Sequence, residues 1–222
     1  EDPRKTIVPL LPHADSLMLS RGILQNSIPK RTNIPIVLRV SSGNSILNED
    51  LSNEKLCVSI EDAIRLNASA VAFSIYIGGA YEHQTIVEFS KLVNDAHRYG
   101  LPVLAVTAVG KDMNRDLRYL SLASRIAVEL GADIVKTYYC EGFSELIAAC
   151  PVPVVIAGGK KVPELDALEF AHKAISDGAA GVDMGRNIFQ SDSPENMIQA
   201  VRSVVVNGVE PKDAYEQYKS SL

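Results

Sequence analysis

A lysine stands in the middle of a short apolar, β-branched run, "GADIVKTYY" (131–139). An ammonium group is normally excluded from such a run because its charge is costly to bury. Desolvation at such a place favours the free amine, which attacks carbonyl carbon and forms an imine. Two glycine-bearing segments follow, "IAGGKK" (156–161) and "GVDMGRNIF" (181–189). Paired glycines let backbone N–H groups approach a phosphate closely, and a helix starting after Gly185 would aim its N-terminus at the anion. Arg186 adds a charge-assisted contact. Lys136 as the amine, with Gly158, Gly159, Gly185 and Arg186 as a phosphate cradle, describes chemistry on the carbonyl group of a phosphorylated small molecule.

Other polar residues interrupt apolar runs: Arg39 in "VLRVS", Ser74 and Tyr76 in "AFSIYIG", Thr107 in "AVTAVG" and Asp183 in "GVDMG". Arg39, Ser74, Thr107 and Tyr138 are substrate-pocket candidates. For the hydroxyls a satisfied interior hydrogen bond is the competing reading, whereas Arg39 calls for an anionic partner. Lys136 too has a structural alternative, pairing with an interior carboxylate or extending to solvent. His83 and Gln84 fall where a loop enters a helix, and Lys111 and Asp112 follow a strand as either site or capping residues. His13, His97 and His172 lie on surface-like patterns, so no His/Asp/Glu cluster predicts a metal.

The elements that must position these groups recur regularly. Apolar runs at 15–22, 35–41, 70–78, 102–108, 132–139, 153–159 and 180–186 read as buried parallel strands. Helical patterns lie between them, one opening on Ser59 and Asp62 in capping-box spacing and others closing at Gly100, Gly131, Gly178 and Gly208. Without a Pro/Gly/Ser-rich linker, the alternation predicts one domain over 1–222, a (β/α)8 TIM barrel in preference to an open sheet. Since seven strands are visible, a first βα unit is expected to precede residue 1. Alternation along the strand puts Ile134, Lys136 and Tyr138 on one face and Val135 and Thr137 on the other. Packing Val135 against the helices turns Lys136 into the barrel lumen near the carboxyl end of its strand, where such barrels hold their active sites, and the two glycine loops then follow the last two strands.

Composition narrows the partners. A formal charge of -5 with no basic run argues against nucleic acid and anionic membranes. No apolar run approaches the roughly 20 residues of a membrane span, and Cys57, Cys140 and Cys150 lack disulfide or zinc spacing, so a reduced cytoplasmic chain is expected.

The segments "ADIVKTYY", "VPVVIAGGKK" and "GAAGVDMGRNIFQ" resemble the lysine strand and phosphate loops of the class I aldolases, the family that includes deoxyribose-phosphate aldolase. "RTNIPIVLRVSSGNSIL", "YIGGAYEHQ", "AVTAVGKDMNRDLRY" and "MGRNIFQSD" are most similar to its acyl-transferring, thiolase branch. The resemblance implies a barrel enzyme with Lys136 as the active-site lysine. It would cleave a phosphorylated five-carbon diketone from autoinducer-2 breakdown and pass the acetyl group to coenzyme A. It also implies coenzyme A as co-substrate, no bound cofactor, and a homo-oligomer as large as a decamer. The alternative within the family is an imine-forming aldolase for a phosphorylated sugar such as fructose 1,6-bisphosphate, or the related synthase of aromatic amino-acid precursors. The family's aldolases carry a tyrosine proton shuttle on the fifth barrel strand, which "LAVTAVG" lacks, and its Asp-His-Gly segment on the first strand is not in view. A non-catalytic sugar-phosphate-binding barrel is the reading from a different class.

Overall fold

The computed structural model describes residues 2–45, 47–48, 50–110 and 113–221. Seven of its strands form one parallel sheet: β1 (Leu17–Ser20), β2 (Ile36–Arg39), β5 (Ala70–Ile77), β6 (Val103–Val109), β7 (Ile134–Thr137), β8 (Val154–Ala157) and β9 (Gly181–Asp183). β3 (Ser41–Ser42) and β4 (Lys55–Leu56) pair antiparallel as a small ribbon after β2. Strand order in the large sheet follows chain order without reversal. A doubly wound sheet reverses at a switch point, so this winding in a single direction is that of a (β/α)8 barrel.

A short α1 (Pro3–Thr6) precedes β1, and helices link the strands: α2 (Arg21–Ser27), α3 (Ile60–Arg65), α4 (Glu82–Arg98), α5 (Leu117–Glu129), α6 (Phe143–Ala149) and α7 (Glu164–Ser176), with α8 (Arg186–Phe189), α9 (Pro194–Asn207) and α10 (Pro211–Ser220) after β9. Their ends follow from local chemistry. Ser59 accepts a hydrogen bond from the Asp62 amide at 3.1 Å and Asp116 one from the Tyr119 amide at 3.1 Å, satisfying first-turn donors that lack an intrahelical acceptor. Gly208 ends α9 with φ +67°, a conformation that costs glycine nothing.

Between sheet and helices lies the core. Leu38, Val71, Phe73, Ile75, Val135 and Ile156 point outward from their strands and are fully buried against Phe89, Leu92, Leu120 and Leu146 of the helices. Each such side chain contributes about 1.5–3 kcal/mol on burial, so this outward set fixes the phase of β2, β5, β7 and β8 and determines which of their residues face inward.

The sheet curls until its edges approach each other. β1 and β9 both line a cleft of about 530 Å³ that also reaches Leu104, Ile134 and Val155 in the lumen. An eighth strand placed between β1 and β9 would close the ring. The chain's opening segment, Val8–His13, packs on α9 beside this gap, and Arg202 of α9 pairs with Asp15 at 2.5 Å. Among the described residues no helix is long and apolar enough to cross a membrane.

Candidate active site

On β7, Val135 and Thr137 are buried toward the helices, so Lys136 faces the lumen with its side chain 13% exposed. Its Nζ donates to Asp183 Oδ2 at 2.6 Å. Asp183 ends β9, two strands away, opposite Ala157 of β8. Val155 and Gly181, paired in register with Lys136, are small enough to leave the lysine a path across. Of the two settings the sequence leaves open for Lys136, the structure has the one with an interior carboxylate beside the amine. A carboxylate touching an amine can also accept and return protons during carbonyl addition, so the pairing is compatible with catalysis as well as with packing.

Register extends the wall. Ser74, Val106 and Lys136 lie in one row across β5, β6 and β7, with Tyr76 and Ala108 in the row nearer the carboxyl ends. Thr107 falls between these rows. It aligns with Ile75 on the helix side, is 1% exposed, and donates its hydroxyl proton to the carbonyl of Lys136 at 3.3 Å. The expectation that Thr107 belongs to the substrate pocket is therefore corrected: β6 turns Leu104, Val106 and Ala108 inward instead. Tyr138 continues the face of Lys136 just beyond the strand, and the Arg115 guanidinium lies 3.9 Å above its ring, a contact worth about 0.5–1 kcal/mol at an exposed site.

Arg39 has the anionic partner its type requires. Its Nη2 donates to both oxygens of Glu54 at 2.9 Å and to Ser74 Oγ at 2.5 Å. Ser41 donates to Glu54 Oε2 at 2.6 Å and Tyr76 to Glu54 Oε1 at 3.2 Å. Gln84 of α4 ties down the segment carrying Glu54 by donating to its carbonyl at 2.9 Å. Burial, and then the charge of Glu54, push the Tyr76 phenol up to about 12. Ser74 is buried and engaged, so of the candidates on β5 it is a brace for Arg39 rather than a group open to the lumen. Glu54 carried no sequence signal, because it lies in the irregular stretch leading to β4.

The glycine loops meet where the two preceding strands end. Asn187, fully buried in α8, donates to the Gly158 carbonyl at 2.7 Å and accepts from the Val162 amide at 2.9 Å. A Cβ on Gly158 would lie 2.9 Å from Met184 Cγ and 3.0 Å from its Cα, so the loops touch through a position only glycine fits. Gly159 adopts φ +68° in open space, and Gly185 precedes the first turn of α8, whose amides lack intrahelical acceptors. Arg186 is exposed beside them. Gly158, Gly159, Gly185 and Arg186 thus converge on one rim, beyond Asp183. His83 is exposed in the first turn of α4; Lys111 and Asp112 lie outside the described residues. Among the described residues no three His, Cys, Asp or Glu side chains form a metal-sized group.

The sequence profile of the DeoC/LacD family aldolases matches residues 2–191. A Photorhabdus laumondii protein named 3-hydroxy-5-phosphonooxypentane-2,4-dione thiolase is 58% identical over 215 residues, 96% of this chain and 74% of that protein. Among solved structures, an archaeal fructose 1,6-bisphosphate aldolase superposes with a TM-score of 0.84 at 29% identity, over 92% of this chain and 84% of that one. Another archaeal fructose-1,6-bisphosphate aldolase, described with its catalytic lysine covalently bound to a carbinolamine intermediate, matches with a TM-score of 0.80 at 29% identity, over 86% of this chain and 78% of that one. The profile, the high identity and the shared barrel agree with the lysine and its glycine loops: the chain belongs to the DeoC/LacD aldolase family.

Proposed function

We propose that this protein is a thiolase that cleaves 3-hydroxy-5-phosphonooxypentane-2,4-dione with coenzyme A, giving acetyl-CoA and dihydroxyacetone phosphate. The observation that carries the reading is the 58% identity, across 96% of the chain, to a protein bearing that thiolase name. Identity of this extent leaves little room for a different reaction at the same lumen.

The geometry supplies a route. The loops of Gly158–Gly159 and Gly185–Arg186 hold the phosphate and bring the adjacent C4 carbonyl to Lys136. Lys136 activates that carbonyl as an imine or through a hydrogen bond from its ammonium. The sulfur of coenzyme A bonds to C2 and the C2–C3 bond breaks. Its electron pair passes to C3, where conjugation with the activated C4 position stabilises it. The proton given up by the thiol is returned to C3, with Asp183 beside Lys136 as the carrier, so that acetyl-CoA and dihydroxyacetone phosphate account for every atom.

The second reading, an imine-forming aldolase of a phosphorylated sugar, is favoured by the two archaeal structures. Against it, the lumenal residues of β6 are Leu104, Val106 and Ala108, none of which transfers a proton. With the thiolase reading come coenzyme A as co-substrate, no resident cofactor, a cytoplasmic place in autoinducer-2 breakdown and a homo-oligomeric assembly. The test is two parallel incubations, one with fructose 1,6-bisphosphate and one with the diketone phosphate plus coenzyme A. Acetyl-CoA in the second alone is the expected result; triose phosphates in the first alone would replace the thiolase by the aldolase.

A further inference from the structure

Acyl transfer from a ketone to a thiol passes through a tetrahedral alkoxide, and the lysine and phosphate loops leave that oxygen unattended. In an eight-position ring with its opening between β9 and β1, β5 stands directly opposite β9, and β7 lies midway. A substrate whose phosphate sits at the rim beyond β9 and whose C4 carbonyl meets Lys136 on β7 points its acyl end toward β5.

Among the inward residues of β5, all of them described, one hydrogen-bond donor is open to the lumen. The inward residues of β5 are Ala70, Ala72, Ser74 and Tyr76; Ser74 is buried beneath Arg39, and Tyr76 is partly exposed in the row nearest the mouth. Ala108 beside it leaves space above the wall. Its hydroxyl donates to Glu54 Oε1 at 3.2 Å, the longest of the bonds that Glu54 accepts from side chains. Glu54 keeps Arg39 and Ser41 when Tyr76 turns away, so releasing this bond strands no buried charge.

We propose that Tyr76 is a catalytic hydrogen-bond donor that turns from Glu54 to the alkoxide oxygen formed on C2 when the thiol attacks, with Glu54 and Arg39 positioning its ring. The inference rests on the thiolase reading. Sulfur bonds to C2 and the carbonyl pair moves onto oxygen. The pair then returns as the C2–C3 bond breaks, and the tyrosine proton stays on tyrosine throughout. A phenol held at about 12 suits a donor that must not ionise.

The test compares wild type with Tyr76→Phe, reading kcat and KM for the diketone with coenzyme A, and inhibition by dihydroxyacetone phosphate, which lacks the acyl carbonyl. The expected result is a kcat lower by about 100-fold, KM within about threefold, and unchanged inhibition by the product. A kcat within about threefold of wild type overturns the role of Tyr76. So does joint loss of kcat and product binding, which marks a structural residue. A wild type that binds the product but makes no acetyl-CoA overturns the thiolase reading, and this proposal with it.

Discussion

Lys136 Nζ and Asp183 Oδ2 lie 2.6 Å apart although 47 residues separate them in the chain. Two strands at the end of a ring of parallel βα units make the contact possible, and the half-buried setting makes it matter. Removing one member of such a pair leaves the other charge poorly solvated.

Asp183→Asn keeps the shape and removes the charge. If Asp183 carries the proton, kcat should fall by about 10²–10³-fold while KM stays within a few-fold. Steady-state kinetics of acetyl-CoA release check this. An unchanged kcat would reduce Asp183 to a packing partner.

Asn187 clamps the two glycine loops from inside, so Asn187→Ala strands the Gly158 carbonyl and the Val162 amide. A stability loss of about 2–3 kcal/mol in urea unfolding is expected, with a raised KM for the phosphorylated substrate. A loss below about 0.5 kcal/mol would mean the loops hold each other without it.

Arg186 adds charge at the rim and touches no bond that breaks. Arg186→Ala is expected to raise KM about tenfold with little effect on kcat, the signature of lost uniform binding. Competition by inorganic phosphate should weaken in parallel. A fall in kcat with unchanged KM would place Arg186 in the chemistry instead.

Tyr139 donates to Asp177 at 2.5 Å, and burial followed by that bond pushes its phenol up to about 12, from an ordinary value of 10.0. A group raised in the folded state contributes stability that is intact below pH 10 and is lost as pH rises through about 12. Urea midpoints should therefore decline across that window. The decline should be shallower in Tyr139→Phe; an equal decline would assign the alkaline loss to other groups.

What could be read without coordinates followed the periodicities. Lys136 was legible because Val135 and Thr137 form a clear alternate set, and Arg39 because an interior guanidinium demands an anion. Ser59, Asp62 and the closing glycines marked helix ends for the reasons their side chains and backbones act there. β6 resisted: "VLAVTAV" is apolar at nearly every position, so the side on which Thr107 falls is set by packing rather than by pattern. Glu54 and Asn187 escaped because their side chains act through partners 13 to 29 residues away in the chain. Asp183 could be placed on the inward face, but its contact with Lys136 is a property of the ring.

The central claim is that Lys136 engages the carbonyl of a phosphate-anchored diketone. Its most direct test is acetyl-CoA formation by Lys136→Met, measured beside its binding of dihydroxyacetone phosphate. Turnover is expected to fall by about 10³-fold or more with product binding preserved. Turnover above about a tenth of the wild-type rate would contradict it.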